Sequence, residues 1–316
     1  METKEYALGI DIGGTNSAFG LVDRAGQVLY ENSFSTKSFT SPEDLVDAIH
    51  TDIHSRFPSI KVLGISIGAP NGSHYTGEIV NAPNLSWKGR IPLAQLFETK
   101  FNVYTELSND ANASAIGEHL FGNAKDLTDF VTITLGTGLG SGVFINGQIV
   151  YGNQSYAGEY GHIRVIKNGR QCGCGRKGCL ETYASSTGVV RSLSELESEN
   201  KINSSLLNLE KPSAKNIFDA AEKGDLFSLE IIEYTAEILG SSLADFACFS
   251  NPKAYVLFGG IAQSGKYFAD RVKFYMEENI LNILKNNIEI RTSSLHDKNA
   301  AILGCAASIF LKEKVF

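Results

Sequence analysis

Residues 6–35 read YALGIDIGGTNSAFGLVDRAGQVLYENSFS. Tyr6 to Asp11 is an apolar run that ends on a carboxylate, and it predicts a strand. Two more strands follow, Ser17 to Val22 and Val28 to Ser35, with Asp23-Arg24-Ala25-Gly26 as the hairpin turn between them. The first two strands are separated by Ile12-Gly13-Gly14-Thr15-Asn16. Its two glycines let backbone N–H groups approach an anion, and Thr15 and Asn16 add donors. Asp11, at the strand end, is placed to hold Mg2+ through a water, because that ion keeps much of its hydration shell.

The pattern returns about 120 residues later. Phe130 to Leu135 predicts a strand running into the turn Gly136-Thr137-Gly138-Leu139-Gly140-Ser141-Gly142. Val143 to Ile145, an Asn146-Gly147 turn and Gln148 to Val150 complete the echo. It predicts an α/β fold built from a duplicated βββ-α-β-α unit with a cleft between the copies. Thr134, Gly136, Thr137 and Gly138 would face the first turn, and the two turns together would grip the phosphates of one nucleotide. A third turn, Gly259-Gly260, follows the strand Ala254 to Phe258 and opens a helix, with small residues where an adenine or ribose could lie.

Between these landmarks, Ser41-Pro42-Glu43-Asp44 predicts a helix start with its N-cap, a proline at the first position and acids in the first turn. Val62 to Ile67 and Val103 to Leu107 predict strands, and Asn109 to Leu120 a helix. Further on, helices are expected over Glu181 to Leu196, Ala214 to Lys223, Leu226 to Phe249, Tyr267 to Leu284 and Ala300 to Lys312. A strand is expected at Ile288 to Thr292 and a loop over 197–213. Two familiar phosphate motifs fail. From Gly136 and Gly138 the last glycine of G-x-G-x-x-G is replaced by Ser141. Gly260 to Lys266 fits a P-loop until Tyr267 stands where Ser or Thr should.

The chain has 316 residues, 43 % hydrophobic and 20 % charged, and a formal charge of −7. That length predicts two domains. No basic stripe suggests nucleic acid, no apolar run reaches membrane length, and the first residues lack the apolar core of a signal peptide. A cytoplasmic protein is expected.

Residues 158–181 read GEYGHIRVIKNGRQCGCGRKGCLE. His162 and three of the chain's five cysteines, Cys172, Cys174 and Cys179, fall in this stretch, flanked by Glu159 and Glu181. Disulfides need an oxidising compartment. In a cytoplasmic chain the set reads as a tetrahedral structural zinc site. Cys248 and Cys305 sit in apolar helical context and read as small core residues. Asn109-Asp110 stands where a strand meets a helix, a common position for site residues in α/β folds. Asp110 is either a helix N-cap or, facing a sugar hydroxyl, the base of a phosphoryl transfer.

The motifs DIGGTN (11–16), NDANA (109–113), TLGTGLGSG (134–142), GEYGH (158–162), CGCGRKGCLE (172–181) and LFGGI (257–261) resemble those of the ROK family of sugar kinases and repressors, within the actin/hexokinase-like ATPases. The likeness spans essentially the whole chain. It implies two actin-like (ribonuclease H-like) domains around a deep cleft: residues 1–118 with 296–316 as the smaller, and 119–295 as the larger, carrying the zinc loop. It implies ATP with Mg2+, and a hexose phosphorylated at its 6-hydroxyl, glucose first and N-acetylmannosamine or another amino-hexose as the alternative. Asp110 becomes the general base. Asn84, Asn109, Asp110, Glu159, His162 and Glu181 become sugar ligands, with His162 also on the zinc. Relatives are commonly homodimers. Many read Gly-Ala-Pro-Gly where this chain has Gly68-Ala69-Pro70-Asn71, so Asn71 is expected to add a side chain near the sugar. The family's repressors carry a DNA-binding domain ahead of the first phosphate motif. Only ten residues precede Asp11 here, so catalysis is the expectation.

Overall fold

The computed structural model describes residues 5–82, 84–199, 204–295 and 300–313. Its elements run β1 (Tyr6–Ile12), β2 (Asn16–Asp23), β3 (Val28–Ser35), α1 (Pro42–Arg56), β4 (Val62–Gly68), β5 (Ile79–Val80), β6 (Arg90–Ile91), α2 (Leu93–Phe101), β7 (Thr105–Ser108) and α3 (Asp110–Leu120). There follow β8 (Phe130–Leu135), β9 (Leu139–Ile145), β10 (Gln148–Ile149), α4 (Glu181–Ala184), α5 (Ser186–Glu199), α6 (Ala214–Glu222), α7 (Leu226–Ser250), β11 (Ala254–Phe258), α8 (Lys266–Asn279), β12 (Glu289–Thr292) and α9 (Ala300–Glu313). Two compact units result. Unit 1 comprises Met1–Asp126, Ile149–Ala157 and Leu295–Phe316, and unit 2 comprises Leu127–Gln148 and Gly158–Ser294.

In unit 1 the sheet order is β3-β2-β1-β4-β7. The first three strands are antiparallel, while β1, β4 and β7 run parallel. Ala7, Leu8, Ile10 and Ile12 are each at most 1 % exposed, because β1 is covered on both faces, as parallel strands usually are. On one face Leu8, Ile10 and Ile12 pack with Leu45, Ile49 and Ile53 of α1 and Phe97 of α2. On the other, Ala7 and Val22 pack with Ile302, Ala306 and Phe310 of α9. Helix α1 starts as expected: Ser41 and Asp44 form a reciprocal capping box. Glycine sets how closely α9 approaches. A Cβ on Gly9 would fall 2.2 Å from the Ile302 carbonyl oxygen, and one on Gly304 would fall 2.5 Å from that of Ala113 in α3.

Unit 2 repeats the plan as β10-β9-β8-β11-β12, with β8 antiparallel to β9 and parallel to β11, which is parallel to β12. The duplicated α/β expectation holds. Some boundaries differ. Leu139 to Gly142 belongs to β9 and not to the turn, since Gly140 and Gly142 pair with Thr134 and Thr132. The helix expected from Glu181 to Leu196 breaks at extended Ser185 (ψ 170), whose hydroxyl accepts from Gly188 N at 3.1 Å. The helix expected to reach Leu284 ends at Asn279, where Ile280 turns extended. It begins at Lys266, beyond a stretch of turn, and not directly after Gly259-Gly260. The strand expected at Val103 begins at Thr105, after left-handed Asn102 closes α2. Cys248 is exposed, contrary to expectation, and Cys305 is buried. Within the expected loop 197–213, α5 extends to Glu199 and Ser205–Asn208 forms a 3-10 turn. Pro83, 200–203, 296–299 and 314–316 lie outside the described residues. Among the described residues no helix is long and apolar enough to cross a membrane.

Helix α3 carries Asp110, so its contact with α9 is a test of the frame. Gly304→Val should lower unfolding stability by about 1–3 kcal/mol through overpacking, read by chemical denaturation. An unchanged midpoint would mean that the helices separate freely.

Candidate active site

Unit 1 presents the end of β1. The turn after it closes with Gly13 N donating to Asn16 O at 2.9 Å. A Cβ on Gly14 would stand 2.4 Å from the Asn84 carbonyl oxygen, so this glycine admits the Asn84 segment against the turn. Thr36 braces the turn from behind. Its Oγ1 donates to Gly13 O at 2.7 Å and its N to Thr15 O at 2.8 Å. The Thr15, Asn16 and Asn84 residues are exposed.

The cap of α3 is Asn109 and not Asp110: Asn109 Oδ1 accepts from Asn112 N at 2.7 Å. Asp110 is thereby released from capping. Its Oδ1 accepts from Ala111 N at 2.9 Å, and the residue remains open to solvent. The protein around it still raises its pKa by desolvation, against the pull of the backbone N–H. The Asp11 carboxyl is pushed up to about 7, first by burial and then by the charge of Asp110. Two carboxylates thus sit within electrostatic reach at the ends of β1 and β7, and perturbed pairs of this kind mark functional sites. Asn71 is exposed and holds the strand that leads into the Asn84 segment. It takes the left-handed backbone that glycine would supply (φ 55), and its amide donates to Val80 O at 3.1 Å.

Unit 2 presents the ends of β8 and β11. Gly136 N donates to Gly138 O at 3.0 Å, closing a short turn, and Gly140 N donates to Thr134 Oγ1 at 3.0 Å. Glu181 Oε2 accepts from Leu139 N at 3.1 Å. A Cβ on Gly138 would fall 2.5 Å from that carboxylate oxygen. Gly259 has φ 99, and Gly260 opens on a cavity of about 350 Å3 lined by Ser186, Lys215, Phe218, Asp219, Glu222 and Gln263, among others. Sequence reasoning missed the cavity because its wall is one face of α6, whose capping box at Ser213 marks the helix but not a site.

The segment carrying Glu159 and His162 lies along β9. Tyr160 N donates to Ser141 Oγ at 3.2 Å, and Gly161 packs on Leu139, with a Cβ there only 2.0 Å from its carbonyl oxygen. One ligand atom each from His162, Cys172, Cys174 and Cys179 lie within 4.8 Å of one another. His162 Nδ1 is 3.7 Å from Cys172 Sγ, and the Cys174 and Cys179 sulfurs are 3.7 Å apart. Ligands of a tetrahedral zinc stand about 3.5–3.8 Å apart, so the donor set fits such an ion. The hairpin needs Gly178, at φ 79, where a Cβ would fall 1.7 Å from the Ile166 carbonyl oxygen. The described geometry thus gathers Asp11, Asp110, Asn109, Asn84 and the Gly13-Gly14 turn in unit 1. It gathers the metal set, Glu159, Glu181 and the other glycine turns in unit 2.

A fold of two actin-like units with these turns and this thiol cluster defines a class, and comparison with known proteins places the chain within it. The ROK family model matches residues 7–313. A glucokinase of Halalkalibacterium halodurans is 32 % identical over 309 residues, covering 95 % of this chain and 93 % of that one. A xylose repressor of Bacillus spizizenii is 32 % identical over 96 % of this chain and 77 % of its own length. The crystal structure of a ROK glucokinase from Streptomyces griseus, in complex with glucose and AMPPNP, superposes with a TM-score of 0.80 at 31 % identity, covering 95 % and 98 % of the two chains. The chain belongs to the ROK family.

The raised pKa of Asp11 has a consequence for stability. Its folded value lies above the unfolded one, so the native state holds an extra proton between them, and the associated stability is lost as pH rises through about 7. Asp11→Asn should flatten this slope. Melting temperatures from about pH 5 to about pH 8 should fall more for the natural chain than for the variant; parallel curves would contradict the shift.

Proposed function

We propose that this protein transfers the γ-phosphoryl group of ATP to the 6-hydroxyl of a hexose, glucose being the first substrate. The observation that carries the reading is Asp110: held at the head of α3, freed from capping by Asn109, open to solvent, raised in pKa and coupled to Asp11. In this reading Asp110 accepts the hydroxyl proton as the sugar oxygen bonds to phosphorus and the bond to the β-phosphate oxygen breaks, releasing ADP. Asn84, Asn109, Glu159, His162 and Glu181 hold the sugar hydroxyls. Asn109 serves through its amide nitrogen, because its oxygen caps α3.

The turns Gly13-Gly14-Thr15-Asn16 and Gly136-Thr137-Gly138, the latter with Thr134, hold phosphates through backbone N–H groups other than those of Gly13 and Gly136, which close the turns. Gly260, next to Gly259, borders the cavity beside Phe218, which suits a purine base. Asp11 would hold hydrated Mg2+, an ion that would neutralise charge building on the phosphates. His162, Cys172, Cys174 and Cys179 would hold zinc and so fix the loop, and His162 keeps Nε2 for the sugar because Nδ1 faces Cys172 Sγ. The proposal extends to a cytoplasmic homodimer without a nucleic-acid partner. A sugar-responsive repressor is the second reading, favoured by the likeness to xylose repressors. The paired carboxylates and both phosphate turns favour catalysis.

ADP release measured over glucose, mannose, fructose and N-acetylmannosamine tests the reading. Turnover should be fastest with glucose, and Asp110→Asn should lower kcat by about 10^2–10^4. No turnover on any sugar, or full turnover by the variant, would refute it. Metal analysis should find one zinc per chain, lost in Cys172→Ser along with thermal stability.

A further inference from the structure

Arg170 stands two residues before the first cysteine and is only 5 % exposed. Its guanidinium is bonded in every direction. Nη1 donates to Thr182 O at 2.6 Å and Gly188 O at 3.0 Å. Nη2 donates to Ser192 Oγ at 2.9 Å, and Nε to Glu195 Oε2 at 2.8 Å. The group lies over the ring of Tyr183, 4.4 Å from its centre, and the Tyr183 hydroxyl accepts from Arg170 N at 2.8 Å. Arg170 O in turn accepts from Gly178 N at 2.8 Å, beside Cys179. One buried cation therefore fastens both strands of the cysteine loop to the corner between α4 and α5. Burying a charge is unfavourable unless its partners are complete, so this corner and the loop keep one relative position.

The same corner holds the phosphate turn of unit 2. Ser186 N donates to Gly136 O at 2.8 Å, and Thr187 Oγ1 donates to Thr137 O at 3.0 Å. Glu181, the first residue of α4, accepts from Leu139 N just after the turn. The chain of contacts runs from cysteine loop to Arg170, to the α4–α5 corner, to the carbonyl groups of Gly136 and Thr137. Fixing those carbonyls fixes the peptide planes whose N–H groups face a phosphate.

We propose that Arg170 is a positioning residue that couples the Cys3His loop to the phosphate turn, so that the metal and the nucleotide strengthen each other's binding. The inference rests on the metal and nucleotide roles proposed above for these two loops. Coupling between binding sites is reciprocal, which supplies a readout that general stability does not move.

The experiment measures zinc affinity of the full chain by competition with a chelator, with and without saturating AMPPNP and Mg2+, and AMPPNP affinity with and without zinc. Each ligand should tighten the other by the same factor, about fivefold or more. Arg170→Met should reduce that factor to near one. Thr187→Val, which removes the bond to Thr137 O at the far end together with the contact to Ser185 Oγ, should lower that factor while leaving zinc affinity without nucleotide unchanged. It carries the test if Arg170→Met fails to fold. Equal zinc affinity with and without bound AMPPNP in the natural chain would overturn the proposal, as would undiminished coupling in both variants. A chain that takes up no zinc refutes the metal assignment and the coupling with it. A zinc-loaded chain that binds no AMPPNP refutes the nucleotide assignment in the same way.

Discussion

An apolar strand covered on both faces, with a carboxylate one residue before its end, is the constraint on which unit 1 is built. Leu8, Ile10 and Ile12 are held between α1 and α2, while Ala7 on the other face packs against α9. The strand cannot slide by one residue without turning these side chains to the wrong layer. Asp11 is therefore fixed near the C-terminal end of the sheet's central strand, level with Gly68 of β4 and Ala18 of β2. The same burial that fixes it raises its pKa, and the nearby Asp110 adds to the effect. Packing and chemistry are here one interaction seen at two ends of a strand.

Unit 2 reuses the plan with a different accessory. Where unit 1 braces its glycine turn with Thr36, unit 2 braces its turn with Ser186, Thr187 and Glu181. Those residues belong to a corner nailed to the cysteine loop by Arg170. A small loop with few apolar residues has little core of its own, and metal ligation is an effective substitute for one. Glu181 touches both parts: its Oε2 receives Leu139 N at 3.1 Å, and its Oε1 lies 3.6 Å from Cys172 Sγ.

Features governed by neighbours in sequence were legible from the residues. The β1–β3 meander, the N-cap at Ser41 and the Asn146-Gly147 turn obey local rules, and Asn146 and Gly147 do take positive φ (52 and 73). The gathering of His162 with Cys172, Cys174 and Cys179 was legible because the four lie close in sequence. Features decided by distant partners were not. Asn109 and Asp110 are both good caps, and only the fold selects Asn109. That the Asn71 amide bonds to Val80 O was not readable from the sequence. Leu139 to Gly142 looked like a turn because glycine is rare inside strands, yet it pairs with β8. Arg170 in a polar, glycine-rich loop gave no sign of burial. Nor did the segment Ile149–Ala157, which packs in unit 1 through the stacked rings of Tyr151 and His74, 3.8 Å apart.

The central claim is that Asp110 directs phosphate onto one particular oxygen of a hexose. Nuclear magnetic resonance of the product formed from ATP and uniformly 13C-labelled glucose reads that oxygen directly. Phosphorus coupling at carbon 6, absent when Asp110→Asn replaces the natural chain, is the expected result. Phosphate on any other carbon, or the same product at the same rate from the variant, would contradict it.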